Sequence, residues 1–447
     1  MFPFVGWGAP RPLIWQTKQL RNPCRDVACR VSTLFLYRQK NLQNKKFCFT
    51  FVKNQIIMQK VISTEKFPIK LWLDEPEGDA IRQAINLANL PFAFSHICLM
   101  PDAHTGYGMP IGGVLATDNV IVPNAVGVDI GCGMCAVKTN TEVNGLERKQ
   151  LTQIMSGIRE LIPLGFDHHK ERQDETLMPQ GYNIDELTIV KRQYLAALKQ
   201  IGTLGGGNHF IELQRSDDGF LWIMVHSGSR NFGLQVAEHY NKKAKKLNEM
   251  YYSSVNPKAD LAFLPFETDE AHAYYQEMKY CIEFALANRK LMMERIQQVL
   301  SSVLNNVDYE PIINIAHNYA AWEKHFDTKV IVHRKGATSA KAGEIGIIPG
   351  SQGTKSYIVE GLGNTESFMS CSHGAGRVMS RSAAIRNLNL DDEKNKLDQL
   401  GIIHSIRKKS DLEEASSAYK DISQVMAFQK DLVKIMVELS PLAVIKG

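Results

Sequence analysis

No uncharged apolar run approaches the roughly 18 residues that a membrane-spanning helix needs, so the chain is not expected to enter a membrane. It has no internal repeat and no low-complexity tract, which excludes a repeat array and a long compositionally biased tail. Cysteine is sparse, with eight in 447 residues, and Cys24, Cys29 and Cys48 lie near the N-terminus. The other five are too few and too scattered for a disulfide framework, so a reducing, cytoplasmic location is expected. A cysteine with a special role is then a metal ligand or a nucleophile. With 44% hydrophobic and 22% charged residues the chain reads as soluble and globular, long enough for one large domain or two ordinary ones.

Acid is almost missing from residues 1–57. Asp26 stands alone there against ten Lys and Arg, a formal charge of ten minus one, or +9. Since the whole chain carries +5, residues 58–447 carry −4, and any nucleic acid must be met by a local basic groove rather than by bulk charge. Two readings fit the basic segment: an organelle transit peptide, or translated sequence upstream of a true start at Met58. Its bulky aromatics and lack of an amphipathic helix favour the second. Residues 58–447 are therefore expected to form the folded domain.

Within 58–447 strand and helix signals alternate. Residues 79–90, 146–162 and 270–303 show helical spacing, the last with Met278, Ile282, Ala285, Met292, Ile296 and Leu300 on one stripe. Residues 221–225 and 312–315 are short apolar runs of strand length that end at or near His226 and His317. Residues 98–129 and 336–376 are glycine-dense. The pattern predicts an α+β fold in a single large domain, a mixed β core surrounded by helices, with a helical insertion around 235–305.

Several constellations carry chemistry. In Val126-Gly127-Val128-Asp129-Ile130-Gly131-Cys132-Gly133-Met134-Cys135, the spacing of Cys132 and Cys135 allows a redox pair, but such a pair normally opens a helix and here glycines surround it. Asp129 and Cys132 also offer a hard oxygen and a soft thiolate three residues apart, and a thiolate can bridge two cations. Gly205-Gly206-Gly207 permits close backbone approach to a ligand, and Asn208-His209 follows it directly. A single histidine after an apolar run, such as His226 or His317, is usually a hydrogen-bonded core residue. Three of them (His209, His226, His317) beside Asp129 and Cys132 supply N, S and O donors for one or two divalent ions. His373 precedes the small-residue turn Gly374-Ala375-Gly376. Arg377 and Arg381 would share a face if a helix begins there, a pairing suited to phosphate. The loop 348–356 lacks the spacing of a Walker nucleotidase but can offer backbone N–H groups to phosphate.

Taken together, these motifs resemble the RtcB family of RNA-splicing ligases. The resemblance is carried by Met100-Pro101-Asp102-Ala103-His104, Gly106-Tyr107-Gly108, Pro110-Ile111-Gly112-Gly113 and Asp129-Ile130-Gly131-Cys132. It continues through 202–212, His226-Ser227-Gly228-Ser229-Arg230, His317-Asn318, Arg334-Lys335-Gly336-Ala337, Pro349-Gly350-Ser351, His373 to Arg377 and the terminal Ile445-Lys446-Gly447. It runs in order from about 60 to 447. Two departures stand out: Gln352 where Met is common, and Asn231 where Gly is usual.

The resemblance implies two Mn²⁺ per chain, one held by Asp129, Cys132 and His209, the other by His226 and His317, with Cys132 bridging. It implies that His373 is the nucleophile that takes GMP from GTP. It implies a guanylate pocket from Asn208, His209, Phe210, Ile211, Glu212, His317, Asn318, Pro349, Gly350, Ser351, Gln352, Ser356, His373, Gly374, Ala375, Gly376 and Lys446. Arg230, Arg377 and Arg381 are the candidates for RNA phosphate. The implied substrate is RNA with a 3′-phosphate and a 5′-hydroxyl end. A monomer is expected, and an archease-like activator is admitted as a partner. A metallohydrolase is the competing enzyme reading, since the same ligands could activate water. A binding protein with a degenerate site is the non-enzyme reading, and it predicts loss of a ligand or of the nucleophile.

Overall fold

The computed structural model describes Met58 and residues 60–447, so the expectations for 1–57 lie outside the described residues. Two sheets organise the chain. One has six strands in the order Lys60–Ile62, Ile69–Leu71, Ala93–His104, Ile111–Thr117, Thr328–Lys335 and Asn318–His325. The other has seven, in the order Ile313–Ala316, Gly133–Glu142, Phe220–Ser227, Phe210–Ser216, Val433–Lys446, Ser356–Gly361 and Ile345–Ile348. Only Ile69–Leu71 with Ala93–His104 pairs in parallel among the strands of these sheets; the rest are antiparallel. That is an α+β arrangement, as expected from the sequence.

The apolar run of Phe220–Ser227 shows why the strands do not alternate in polarity: both faces are covered. Leu221, Ile223 and Val225 pack with Ile154, Met155 and Ile158 of helix Arg148–Leu161 and with Met292 and Ile296. Trp222 and Met224 join Met134, Ala136, Ile347 and Leu439 on the other face. In the first sheet Ile97, Leu99 and Leu115 meet Ala84 and Leu87 of helix Gly78–Ala88. Cys98, Val114 and Val332 face the cluster that contains Ile348 and Val359.

Helices Asn231–Met250 and Asp269–Val303 occupy the region expected as a helical insertion. The second begins where Thr268 accepts the Ala271 N–H, with Asp269 and Glu270 placed favourably in the first turn. It is a core element rather than a surface addition: Met278, Cys281, Phe284, Met292 and Ile296 are fully buried. All described elements belong to one compact unit.

His317 occupies the junction of the two sheets. It lies between Ile313–Ala316, at the edge of the seven-stranded sheet, and Asn318–His325, at the edge of the six-stranded one. Its N–H donates to Cys132 O at 2.8 Å, and its carbonyl accepts the Ala337 N–H at 3.2 Å.

Candidate active site and metal centre

Strand pairing gathers the site at one end of the seven-stranded sheet. Phe210 pairs with His226 on one side and Lys446 on the other, and His226 is also opposite Met134. Cys132 and His209 each stand one residue before a strand of this sheet. The register therefore brings together residues that are far apart in sequence. The donor atoms fall into two groups, Asp129/Cys132/His209 and Cys132/His226/His317, and within each group they lie within 4.8 Å of one another. Cys132 belongs to both. Its Sγ is 3.6 Å from His209 Nε2 and 3.2 Å from His226 Nε2, and His209 Nε2 is 3.4 Å from Asp129 Oδ2.

This donor set fits divalent cations. Among the described residues, His317 Nδ1 is buried without a hydrogen-bond partner. Burial, then the neighbouring imidazoles, holds His226 and His317 well below the ordinary histidine range, so both are neutral, as ligands must be. Burial and then the Asp129 charge push the Cys132 thiol up, so a nearby cation is what would make it a thiolate. His226 Nδ1–H donates to the Asn208 carbonyl at 3.1 Å, which sets its ring orientation.

The long helix braces these loops with two consecutive side chains. Asn288 accepts the Gly202 and Thr203 N–H groups at 2.7 and 3.2 Å and donates to Thr203 O and Gly228 O. Arg289, fully buried, donates to Gly131 O at 3.0 Å and Ser227 O at 2.8 Å, so it ties the segment of Cys132 to that of His226. At Gly133 the partner strand comes so close that a Cβ would collide with the Ile315 carbonyl.

His373 follows the short strand Ser370–Ser372 and lies against His317, ring centroids 4.8 Å apart. Its Nδ1–H donates to Asp102 Oδ2 at 2.6 Å. The same oxygen accepts the backbone N–H groups of His373 and Gly374 at 3.0 and 3.3 Å. Burial favours the neutral Asp102 carboxyl, but His373, with Lys420 and His104 beyond, more than offsets this and holds it below the ordinary carboxylate range. Asp102 lies in the segment Met100-Pro101-Asp102-Ala103-His104, where nothing local marks it for a role. In the fold it fixes the ring and commits Nδ1, leaving Nε2 for chemistry.

A cleft of about 390 Å³ opens beside His373. Among the residues expected around guanylate, Asn208, Phe210, Glu212, 349–352, His373 to Gly376 and Lys446 line it. Others serve behind it. Ile211 turns to the opposite face of its strand, into the core with Met292. Ser356 Oγ accepts the Gly350 N–H at 3.1 Å and so shapes the 349–352 loop. Asn318 donates to Asp129 O at 3.0 Å and accepts the Gly336 N–H at 2.7 Å, which makes it a brace of the loop that carries Asp129. At the cleft floor burial raises Glu212 to about 7, opposed by Lys446, whose own ammonium is lowered by burial.

The arginines depart from expectation. Helix Arg381–Asn387 begins at Arg381, capped by Ser380, whereas Arg377 pairs its backbone with Tyr419 before the helix starts. The two share no helix face; instead both guanidiniums converge on Glu414 Oε1, at 3.2 Å from Arg377 Nη1 and 3.0 Å from Arg381 Nε. Arg230, at φ +56°, precedes helix Asn231–Met250 and lays its guanidinium on Gly205. Glu414, Tyr419, Asp102 and Arg289 were not legible as site residues.

An imidazole with one nitrogen hydrogen-bonded to a buried carboxylate, two donor clusters that share a thiol, and a cleft lined by Arg377, Arg381 and Lys446 together fit group transfer on phosphate esters. The family profile described as tRNA-splicing ligase RtcB matches residues 83–447. The chain is 38% identical over 410 residues to the RNA-splicing ligase RtcB of Escherichia coli, covering 87% of this chain and 99% of that protein. It is 31% identical over 439 residues to the tRNA-splicing ligase RtcB of Thermococcus kodakarensis, covering 82% and 91%. It is 35% identical over 442 residues to the RNA-splicing ligase RtcB homolog 1 of Entamoeba dispar, covering 82% of each. The chain belongs to the RtcB family and is an RNA ligase. Among the described residues no helix is long and apolar enough to cross a membrane.

Proposed function

We propose that the chain joins an RNA 3′-phosphate, or 2′,3′-cyclic phosphate, to a 5′-hydroxyl, using GTP and two Mn²⁺, in tRNA splicing or RNA repair. The observation that carries this reading is the 2.6 Å hydrogen bond from His373 Nδ1 to buried Asp102, next to the paired donor clusters. With Nδ1 committed, the Nε2 lone pair attacks the α-phosphorus of GTP; the N–P bond forms, the Pα–O bond to the β-phosphate breaks, and pyrophosphate leaves. Asp102 meets the positive charge that develops on the ring. A cyclic end is first opened by water, which breaks the 2′ P–O bond and frees the 2′-hydroxyl; an oxygen of the RNA 3′-phosphate then takes the guanylyl group as the N–P bond to His373 breaks. The 5′-hydroxyl oxygen attacks the activated 3′-phosphorus and GMP departs. Asp129, Cys132 and His209 would hold one cation and Cys132, His226 and His317 the other, and the pair would neutralise charge on attacking and leaving oxygens. Glu212 and Lys446 at the floor offer polar partners for the base, and the 349–352 loop offers backbone N–H groups.

His373→Ala tests the reading. The variant should hold metal normally, gain no GMP mass after incubation with GTP and Mn²⁺, and fail to join 3′-phosphate RNA, yet seal RNA supplied with guanylate already on its 3′ end. An adduct that survives would place the nucleophile elsewhere, and lost metal would make His373 a ligand.

A further inference from the structure

A buried acid lines the cleft among three cations, Arg377, Arg381 and Lys446. Glu414 is 4% exposed and lines the same cleft as His373. Its Oε1 accepts from Arg377 Nη1 at 3.2 Å and Arg381 Nε at 3.0 Å. Its Oε2 accepts from the Tyr419 hydroxyl and lies 3.7 Å from Lys446 Nζ. The segment that carries it is pinned from two sides: Gln352 Nε2 donates to Glu414 O at 2.7 Å, and Arg377 Nη2 donates to Glu413 O at 2.6 Å.

The two arginines are treated unequally. Arg377 also donates through Nε to Met379 O at 3.0 Å and through Nη1 to the Tyr419 hydroxyl at 3.3 Å, and it lies over the Tyr419 ring. All three of its nitrogens are engaged by protein. Arg381, half-exposed, makes one side-chain hydrogen bond among the described residues, from Nε to Glu414. Its terminal amino groups are left over, and they lie on the glycine loop: a Cβ on Gly207 would come within 3.0 Å of Nη2. Arg230 presses on Gly205 of the same loop, two residues away. The loop leads directly into Asn208 and His209.

We propose that Glu414 is a positioning residue for the RNA 3′-phosphate: it holds Arg381 by Nε so that the free edge of that guanidinium faces the 205–207 loop opposite Arg230, and it locks Arg377 out of phosphate binding. A guanidinium held at Nε by a carboxylate keeps two parallel N–H groups for a second anion. Glu414 also balances Arg377, Arg381 and Lys446, which would otherwise repel one another in a buried space.

This deepens the ligase reading and rests on it, and a double-mutant cycle separates the two. Glu414→Gln should raise the KM for 3′-phosphate RNA about tenfold, the loss of one charge-assisted hydrogen bond, with kcat changed by less than about twofold. Arg381→Ala should raise the same KM at least as much, and the double variant should be no worse than Arg381→Ala alone. Glu414→Asp keeps the charge, should fall between, and serves where Glu414→Gln does not fold. Additive losses, a fall in kcat at unchanged KM, or a larger RNA KM effect from Arg377→Ala than from Arg381→Ala would overturn the proposal. A wild-type protein that forms no GMP adduct would overturn the ligase reading itself, whereas an adduct with an additive cycle would sink only this inference.

Discussion

Asp102→Asn removes a charge from behind the nucleophile while keeping its shape. The amide oxygen of asparagine can take the place of Oδ2, where His373 Nδ1–H arrives at 2.6 Å and the N–H groups of His373 and Gly374 at 3.0 and 3.3 Å. The amide nitrogen then falls where Oδ1 lies, an atom that is buried and has no hydrogen-bond partner among the described residues. No existing contact is broken, and the new unpaired donor costs about 1–3 kcal/mol of stability. All three hydrogen bonds change from charge-assisted to neutral, and the one from His373 Nδ1, which bears on the reaction, weakens by about 1 kcal/mol. The ring also loses its counter-charge when Nε2 takes the guanylyl group. Together these put the loss at about 2–3 kcal/mol, or roughly 30- to 150-fold in the rate of adduct formation. Rapid-quench intact-mass measurement at saturating GTP and Mn²⁺ reads that rate, with elemental analysis confirming that the metals stay bound. Sealing of RNA already guanylated at its 3′ end should be unaffected. A folded, metal-loaded variant that forms adduct within threefold of the wild-type rate would refute the argument that Asp102 prepares His373.

Cys132→Ala should empty both cation sites, because Cys132 belongs to both donor groups, while His226→Ala should empty mainly one; elemental analysis counts them, and equal loss would argue against a bridge. Gly205→Ala should lower stability by about 1–2 kcal/mol in thermal melts, since the residue sits at φ +90° and a Cβ would strike the Arg230 guanidinium. It should also weaken RNA binding at unchanged metal content. The fragment 58–447 should fold and retain full ligase activity, because every site residue lies inside it; aggregation of the fragment alone would show that the basic segment contributes to folding.

The donor residues were legible because each follows an apolar run or a glycine turn, where a polar side chain is conspicuous. His209, His226 and His317 all announce themselves in this way. The helices at Gly78–Ala88, Arg148–Leu161 and Asp269–Val303 were legible from periodicity. What could not be read depends on pairing between distant segments. Asp102 belongs to a 12-residue strand, Ala93–His104, whose burial on both faces removes alternation and whose Pro101 disguises it. Arg289 is one more charge on a helix that has many, and nothing local says that it points inward. Glu414 and Tyr419 lie in short 3-10 turns and connecting chain without a strong period. The Arg377/Arg381 spacing suggested a common helix face, but the Ser380 cap places the helix start between them.

The place of His317 gives metal binding a mechanical meaning. One cation would be gripped by His226, inside the seven-stranded sheet, and by His317, where the chain crosses to the six-stranded one. A bound ion would thus act as a removable staple across the seam between the sheets, closing a loop from Cys132 to His317 much as a disulfide would. Because such a ligand binds the folded chain and not the unfolded one, raising free Mn²⁺ to a hundred times its Kd should add about 2.7 kcal/mol of stability. The melting temperature should then climb with metal concentration, and chelation should loosen hydrogen-exchange protection first along the edges Ile313–Ala316 and Asn318–His325, the two strands that His317 joins.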